Sequence, residues 1–250
     1  MQKDNDKNAT DPEAQPPGRG EGAPPSNTAP SNCKPPRILR TGIDSLYLSV
    51  PGFIYMDTDI KLKTLKTLAQ GTAQEQALAV YPVLGHRFEV WAKGSGRFPY
   101  VLADNAYYFK FSGPGSRTLP LAYIQIRSAW LMGKGIHNAC HEIVQILKKL
   151  GEVEGELQVS RADLHVDFVL DWNLGDPLLG QWVTRARRIS EHSMDRVFSG
   201  FSIGLGGDIS ARLYDKTLEI RESGKDFLIP IWQMNGWSGE GTVYRLEFQI

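Results

Sequence analysis

The sequence predicts an α+β fold: a central, mostly antiparallel sheet with helices packed on one face and an ionisable face left on the other. Two observations carry this prediction. Segments that alternate apolar and polar residues, the period of a strand with one buried face, dominate the chain. Helical segments interrupt these strands only at intervals, which favours an antiparallel sheet over a parallel βαβ arrangement.

Residues 1–37 stand outside that fold. The first 36 hold 8 of the 15 prolines and no aromatic residue, too little apolar surface to offset the entropy of ordering, so a disordered tail is expected. Order is expected from Ile38 onward, and residues 38–250 form the expected domain. "GIDSLYLSV" (42–50) alternates as a strand. "DTDIKLKTLKTLAQG" (57–71) reads as a helix with Asp57 or Asp59 as cap and Gly71 as stop. Strands follow in "HRFEVWAK", "YVLADNAYYFKFSG" and "LAYIQIRS", separated by turn residues. "GIHNACHEIVQILKKLG" is the clearest helix, with apolar positions 136, 139, 140, 143, 144, 147 and 150 and a stop at Gly151. A strand over "LQVSRADLHVDFVL", a helix over "DPLLGQWVTRARRISEH" (176–192) and two or three further strands close the chain.

Bulk composition narrows the partners. Lys plus Arg equals Asp plus Glu at 28 each, so no global field draws in nucleic acid or anionic lipid, and any anion site is a local cluster. Cys33 and Cys140 make no disulfide framework or zinc pattern, and no run is long and apolar enough to span a bilayer. A reducing cytoplasm is the expected location, with no membrane partner. The polar opening "MQKDNDKNATDPEAQ" has no apolar stretch and does not read as a signal peptide.

The polar face carries the chemistry. In "SRADLHVDFV" the residues Arg161, Asp163, His165 and Asp167 share one side; in "VYRLEFQI" so do Arg245, Glu247 and Gln249. In "SARLYDKTLEI", read as a strand over 210–220, Arg212, Tyr214 and Lys216 share a side. "LAYIQIRS" adds Gln125 and Arg127. A solvated sheet face explains any one of these strands. Three together, rich in Asp, Glu, His, Arg and Tyr, suit a catalytic face. Converging carboxylates repel unless a cation neutralises them, and hard oxygen ligands suit Mg²⁺ or Mn²⁺. A nearby ammonium such as Lys216 favours phenoxide at Tyr214, and arginines hold non-bridging phosphate oxygens. Such a set suits transesterification of a phosphodiester, with tyrosine as the nucleophile.

The ordered set "SRADLHVDFV", "ARLYDKTLEI" and "VYRLEFQI" resembles the replication initiation factor family. This family comprises the Rep_trans-type rolling-circle initiators of plasmids and filamentous phages and the related conjugative relaxases. The resemblance spans about residues 40–250, including "TGIDSLYLSV" as the opening strand and "FSIGLGGDISARLYDK" as the approach to the tyrosine. It implies that Tyr214 is the nicking nucleophile, with Lys216 and Arg245 beside the scissile phosphate. It also implies that Asp163 and Glu247 hold Mg²⁺ or Mn²⁺ and that Asp167, Arg161, Arg212 and Glu219 play supporting roles; Asp167, on the same face, is the further metal-ligand candidate. Origin DNA, single-stranded or extruded, is the implied partner; a host helicase and a homodimer are the implied protein partners. Two departures stand out: Gln125 occupies a position where some relatives carry glutamate, and the chain stops at Ile250 inside its last strand, as expected of a truncated protein. A catalytically inactive or truncated initiator, acting as a DNA- or partner-binding module, is the alternative reading.

Other motifs carry less. His137 and His141 have zincin spacing, but Asn138 stands where the glutamate is required. "GLGG" (204–207) lacks the Lys and Ser/Thr of a phosphate loop. Arg185, Arg187 and Arg188 on the expected helix, with Arg196 beyond it, suit a DNA backbone, so Arg127, Arg161, Arg185, Arg188 and Arg212 are the DNA-binding candidates. Trp182, Trp232 and Trp237 suit base stacking, against core or loop packing.

Overall fold

The computed structural model describes residues 35–171, 184–224 and 226–250. The expected tail, apart from its last residues, lies outside these, as do Trp182 and the first part of the helix expected over 176–192.

The first half of the chain runs β1 (Arg37–Val50), β2 (Gly52–Ile54), α1 (Met56–Ala69), α2 (Ala73–Leu78), β3 (Val80–Val83) and β4 (His86–Val90). Next come β5 (Tyr100–Ala103), β6 (Tyr107–Phe111), β7 (Ala122–Ile126), α3 (Ser128–Lys134) and α4 (Ile136–Leu150). The second half runs β8 (Gly151–Val153), β9 (Gln158–Val169), β10 (Ile189–Met194), β11 (Val197–Ile203) and β12 (Ser210–Asp215). It closes with α5 (Lys216–Ser223), α6 (Leu228–Met234) and β13 (Val243–Gln249).

Eleven strands form one sheet in the order β10-β11-β12-β13-β9-β1-β7-β6-β5-β4-β3, and each of its ladders is antiparallel. The fold is therefore α+β on an antiparallel sheet. β1 lies in the middle, paired to β7 on one side and β9 on the other. The meander β3–β7 makes one half of the sheet, and β9 to β13 make the other.

Each half buries its apolar residues differently. α4 presents Ala139, Ile143, Ile146, Leu147 and Leu150 to the sheet. They pack with Leu62 and Leu65 of α1 on Leu46 and Leu48 of β1 and on Tyr107, Phe109 and Phe111 of β6. Each large aliphatic side chain so buried contributes about 1.5–3 kcal/mol. His137 and His141 point to solvent on the opposite side of α4, as their exposed spacing requires. In the second half α5 and α6 close over the ionisable face: Ile220, Leu228 and Trp232 pack with Leu39 and Val243. The reverse face of those strands holds Phe201, Leu213 and Tyr244.

Three expected elements differ. The strand expected over 210–220 ends at Asp215, because its side chain accepts the Leu218 amide at 2.9 Å and caps a helix that starts at Lys216. Residues 189–192 of the expected helix are strand, and 184–188 are not helical. Asp195 and Arg196, both at positive φ, make the two-residue turn of a β10–β11 hairpin that takes up those backbone groups. In α1 the N-cap is Tyr55, not an aspartate. Asp59 is committed elsewhere, accepting from the Tyr100 hydroxyl at 2.5 Å and pairing with Lys63 at 2.7 Å.

Among the described residues no helix is long and apolar enough to cross a membrane.

Candidate active site

Strand adjacency assembles the site. β9, β13 and β12 lie side by side, and their register sets Asp167, Arg245 and Tyr214 in one cross-strand row. The next row holds His165, Glu247 and Arg212. Across from Tyr214 on β11 stands Gly200 at φ 155°. A Cβ there would lie 2.4 Å from the Leu213 carbonyl oxygen and 2.6 Å from the Tyr214 Cβ. Glycine is thus what allows β11 to approach the tyrosine so closely.

A merely solvated face would leave these groups in water, and it does not. Asp163 is 3% exposed, His165 5%, Glu247 2%, and Asp167 and Arg245 are fully buried. Buried charges persist only when paired. Arg161 grips Asp163 with two bonds of 2.8 Å. Arg245 does the same to Asp167, at 2.6 and 2.8 Å, and reaches Asp44 at 2.6 Å through its third nitrogen. Trp232 donates to Asp167 at 2.9 Å and Ser128 donates to Asp44 at 3.1 Å. Arg212 pairs with Glu247, and Lys216 with Glu219.

Tyr214 donates its hydroxyl hydrogen to Glu247 Oε2 at 3.3 Å. Burial, then the charge of Glu247, pushes the phenol above its ordinary value, while Arg245 pulls it back. The Lys216 ammonium lies 5.5 Å from the ring centroid, and burial outweighs the phenoxide-favouring effect expected of it. The resting nucleophile candidate is a protonated phenol beside a carboxylate. Burial acts most strongly on Arg245 and lowers its pKa, but the bonds and charge of Asp167, together with Tyr214 and Asp44, hold it above the ordinary value.

Both ring nitrogens of His165 are buried without a hydrogen-bond partner among the described residues. Burial, then the neighbouring Arg245, lowers its pKa from 6.5 to about 4. The unfolded chain therefore binds more protons between those values. This stability is present in full above pH 6.5 and is lost as pH falls toward 4. Chemical denaturation at pH 7 and pH 4.5 is expected to show wild type losing about 2 kcal/mol more than His165→Leu.

A cleft of about 350 Å³ opens over part of this cluster, lined by Asp44, Arg212, Tyr214, Lys216, Glu219 and Glu247 among others. Of the expected site residues, Tyr214, Lys216, Glu247 and Arg212 meet there. Lys216 arrives at the start of α5 rather than on the strand. Asp163, Asp167, Arg161 and Arg245 are not among its lining residues. Arg127 is exposed at the N-cap of α3 and donates to the Asp104 carbonyl at 2.8 Å. Arg185 and Arg188 are exposed ahead of β10, not on a helix. Trp232 is core, and Trp237 packs edge-on against it at 5.6 Å.

The carboxylates as arranged do not fit a divalent ion. Both oxygens of Asp163 and both of Asp167 are taken by guanidinium groups, and Glu247 is held between Arg212 and Tyr214. No group of three or more His, Cys, Asp or Glu side chains that could hold a metal occurs among the described residues. In this arrangement arginines pair with the converging carboxylates.

Two participants were missed in the sequence. Asp44 belongs by strict alternation on the side of Leu46, but a register shift between Ile43 and Ser45 turns it toward Arg245. Nothing in the sequence marks that bulge. Gly200 lies one residue ahead of the glycine-bearing approach to the tyrosine, and no local pattern sets it apart.

No protein-family model matches the chain, and no curated protein matches it. Among solved structures, a rolling circle replication initiator protein from Geobacillus stearothermophilus is similar over 84% of this chain and 74% of that one, at 13% identity and a TM-score of 0.46.

Proposed function

We propose that the chain is a rolling-circle replication initiator that cuts and rejoins one DNA strand through Tyr214. The observation that carries this reading is the tyrosine hydroxyl in hydrogen-bond reach of a buried carboxylate, in a cleft that also presents Lys216 and Arg212. The ordered motifs that resemble the replication initiation factor family support it.

In the proposed step Glu247 accepts the phenolic proton as the Tyr214 oxygen attacks phosphorus. A bond forms from tyrosine oxygen to phosphorus, and the bond from phosphorus to the 3′ oxygen breaks. The 5′ phosphate remains on Tyr214, and the departing 3′ oxygen takes a proton to become a hydroxyl. Lys216 and Arg212 counter the charge that builds on the non-bridging oxygens. Arg245, sealed between Asp167 and Asp44, acts by positioning: it holds β13 and β9 so that Glu247 faces the phenol. No step runs through Mg²⁺ or Mn²⁺, since an ion would first have to displace Arg161 from Asp163 or Arg212 from Glu247.

The test is to incubate the chain with a labelled single-stranded oligonucleotide carrying its element's origin, then denature. A covalent adduct whose labelled peptide contains Tyr214 is expected. A chain that shifts the DNA yet forms no adduct would favour the binding-module reading. Glu247→Gln keeps an acceptor oxygen beside the phenol but loses the base, so adduct formation is expected to slow by about 10²–10⁴-fold with DNA affinity unchanged.

A further inference from the structure

On the ionisable face of the sheet, beyond the site, lies a second surface. Alternation places Tyr47 of β1, Tyr123 and Gln125 of β7, and Tyr108 and Lys110 of β6 on the same side as Arg161 and Asp163 of β9. The register sets Arg161, Tyr47, Gln125 and Tyr108 in one row, and Ser49, Tyr123 and Lys110 in the next. α1 and α4 pack on the opposite face, and these tyrosines are half-buried.

The surface is continuous and its contacts are specific. Tyr47 and Tyr123 lie 6.1 Å apart. Arg161, which binds Asp163 of the site, also stands over the Tyr47 ring at 4.9 Å. Lys110 stands 4.9 Å over Tyr123 and 6.0 Å over Tyr108, and Tyr108 meets the exposed Trp91 edge-on at 5.2 Å. Burial, its largest cause, raises the pKa of both Tyr47 and Tyr123, so these rings stay neutral and do not repel phosphate. As far as β6 the two rows hold Arg161 and Lys110 and no carboxylate; the first runs on through Ala103 to the exposed Glu89 of β4.

We infer that this surface is a binding track for single-stranded DNA, leading unpaired nucleotides away from Tyr214. The inference rests on the nicking function and adds the path that the strand takes across the sheet. Five inter-strand spacings separate β12 from β6, about 24 Å of track at 4.8 Å per step. Flat rings accept any base by stacking, and Lys110 and Arg161 follow the phosphates between them. A duplex keeps its bases stacked on one another and offers these rings nothing. The chain's zero net charge fits a partner held by local stacking and two or three cations rather than by a broad positive field.

The experiment uses the full chain carrying Tyr214→Phe, so that no strand is cut, and a fluorescein-labelled single strand of about 20 nucleotides followed by anisotropy. Tyr47→Leu and Tyr123→Leu are each expected to weaken binding by about ten-fold, and Tyr123→Phe, which keeps the ring, to bind as the parent does. Circular dichroism of each variant guards against misfolding. Leu variants that bind within about two-fold of the parent would overturn the track, as would a preference for duplex or for RNA of the same sequence. A parent that fails to hold the single strand would overturn it too. The wild-type adduct assay separates the two proposals: an adduct alongside unaffected Leu variants removes the track and leaves the nicking chemistry. Loss of affinity in the Leu variants without any adduct removes the nicking chemistry and leaves the surface.

Discussion

Tyr214→Phe is expected to abolish the covalent protein–DNA species while the chain folds and binds DNA as before. The substitution removes one oxygen and nothing else. That oxygen makes a long bond to Glu247, 3.3 Å, so its loss costs stability no more than about 1 kcal/mol. Chemistry has no such tolerance. Lys216 and Arg212 can hold a phosphate, but neither supplies an oxygen to attack it. The adduct should therefore drop below detection, while melting temperature and anisotropy with single-stranded DNA stay close to wild type. A metal-activated water as nucleophile predicts the opposite pair of results: cutting that survives in Tyr214→Phe, and no covalent species in wild type. Denaturing gels of both proteins decide between them. A phenylalanine variant that still carries DNA would end the proposal.

The largest stability effect is expected at Arg245. Its guanidinium is wholly buried and spends its nitrogens on Asp167 and Asp44. Arg245→Leu leaves two buried carboxylates without their cation, and removing one partner of such a group costs about 3–5 kcal/mol. Urea unfolding should show the loss as a lower midpoint. The double variant Arg245→Leu, Asp167→Leu is expected to recover part of it, because one of the stranded charges goes too. If Arg245→Leu unfolds within about 1 kcal/mol of wild type, the guanidinium is not what holds these carboxylates in the core. Adduct formation should fall along with stability in the single variant, since β13 carries Glu247 and β9 anchors it.

Much of this arrangement is written in the alternation of three short segments. Asp163, His165 and Asp167, then Arg245 and Glu247, then Arg212 and Tyr214, each share a side because successive side chains on a strand point opposite ways. Local pattern also placed α4 within a residue, since Ile143, Leu147 and Leu150 repeat at the helical period and Gly151 ends it. Where pattern failed, a short-range competitor had won. Lys216 keeps strand parity with Tyr214 on paper, yet Asp215 caps the helix Lys216–Ser223 that begins there. The motif is local, and an Asp followed by an acidic first turn was there to be read. Residues 189–192 fall at the end of the helix expected over 176–192, but hairpin pairing with β11 makes them strand.

From its order of residues alone, the chain determined which groups share a face and which segment supplies the phenol, because side-chain direction follows from backbone period. Only the folded sheet decided which strands are neighbours, that the charged side would be the buried one, and which arginine pairs with which of its acids. Those outcomes depend on contacts between residues as far apart as Asp44 and Arg245. Long-range pairing of that kind follows from how the whole sheet closes, not from any window of sequence.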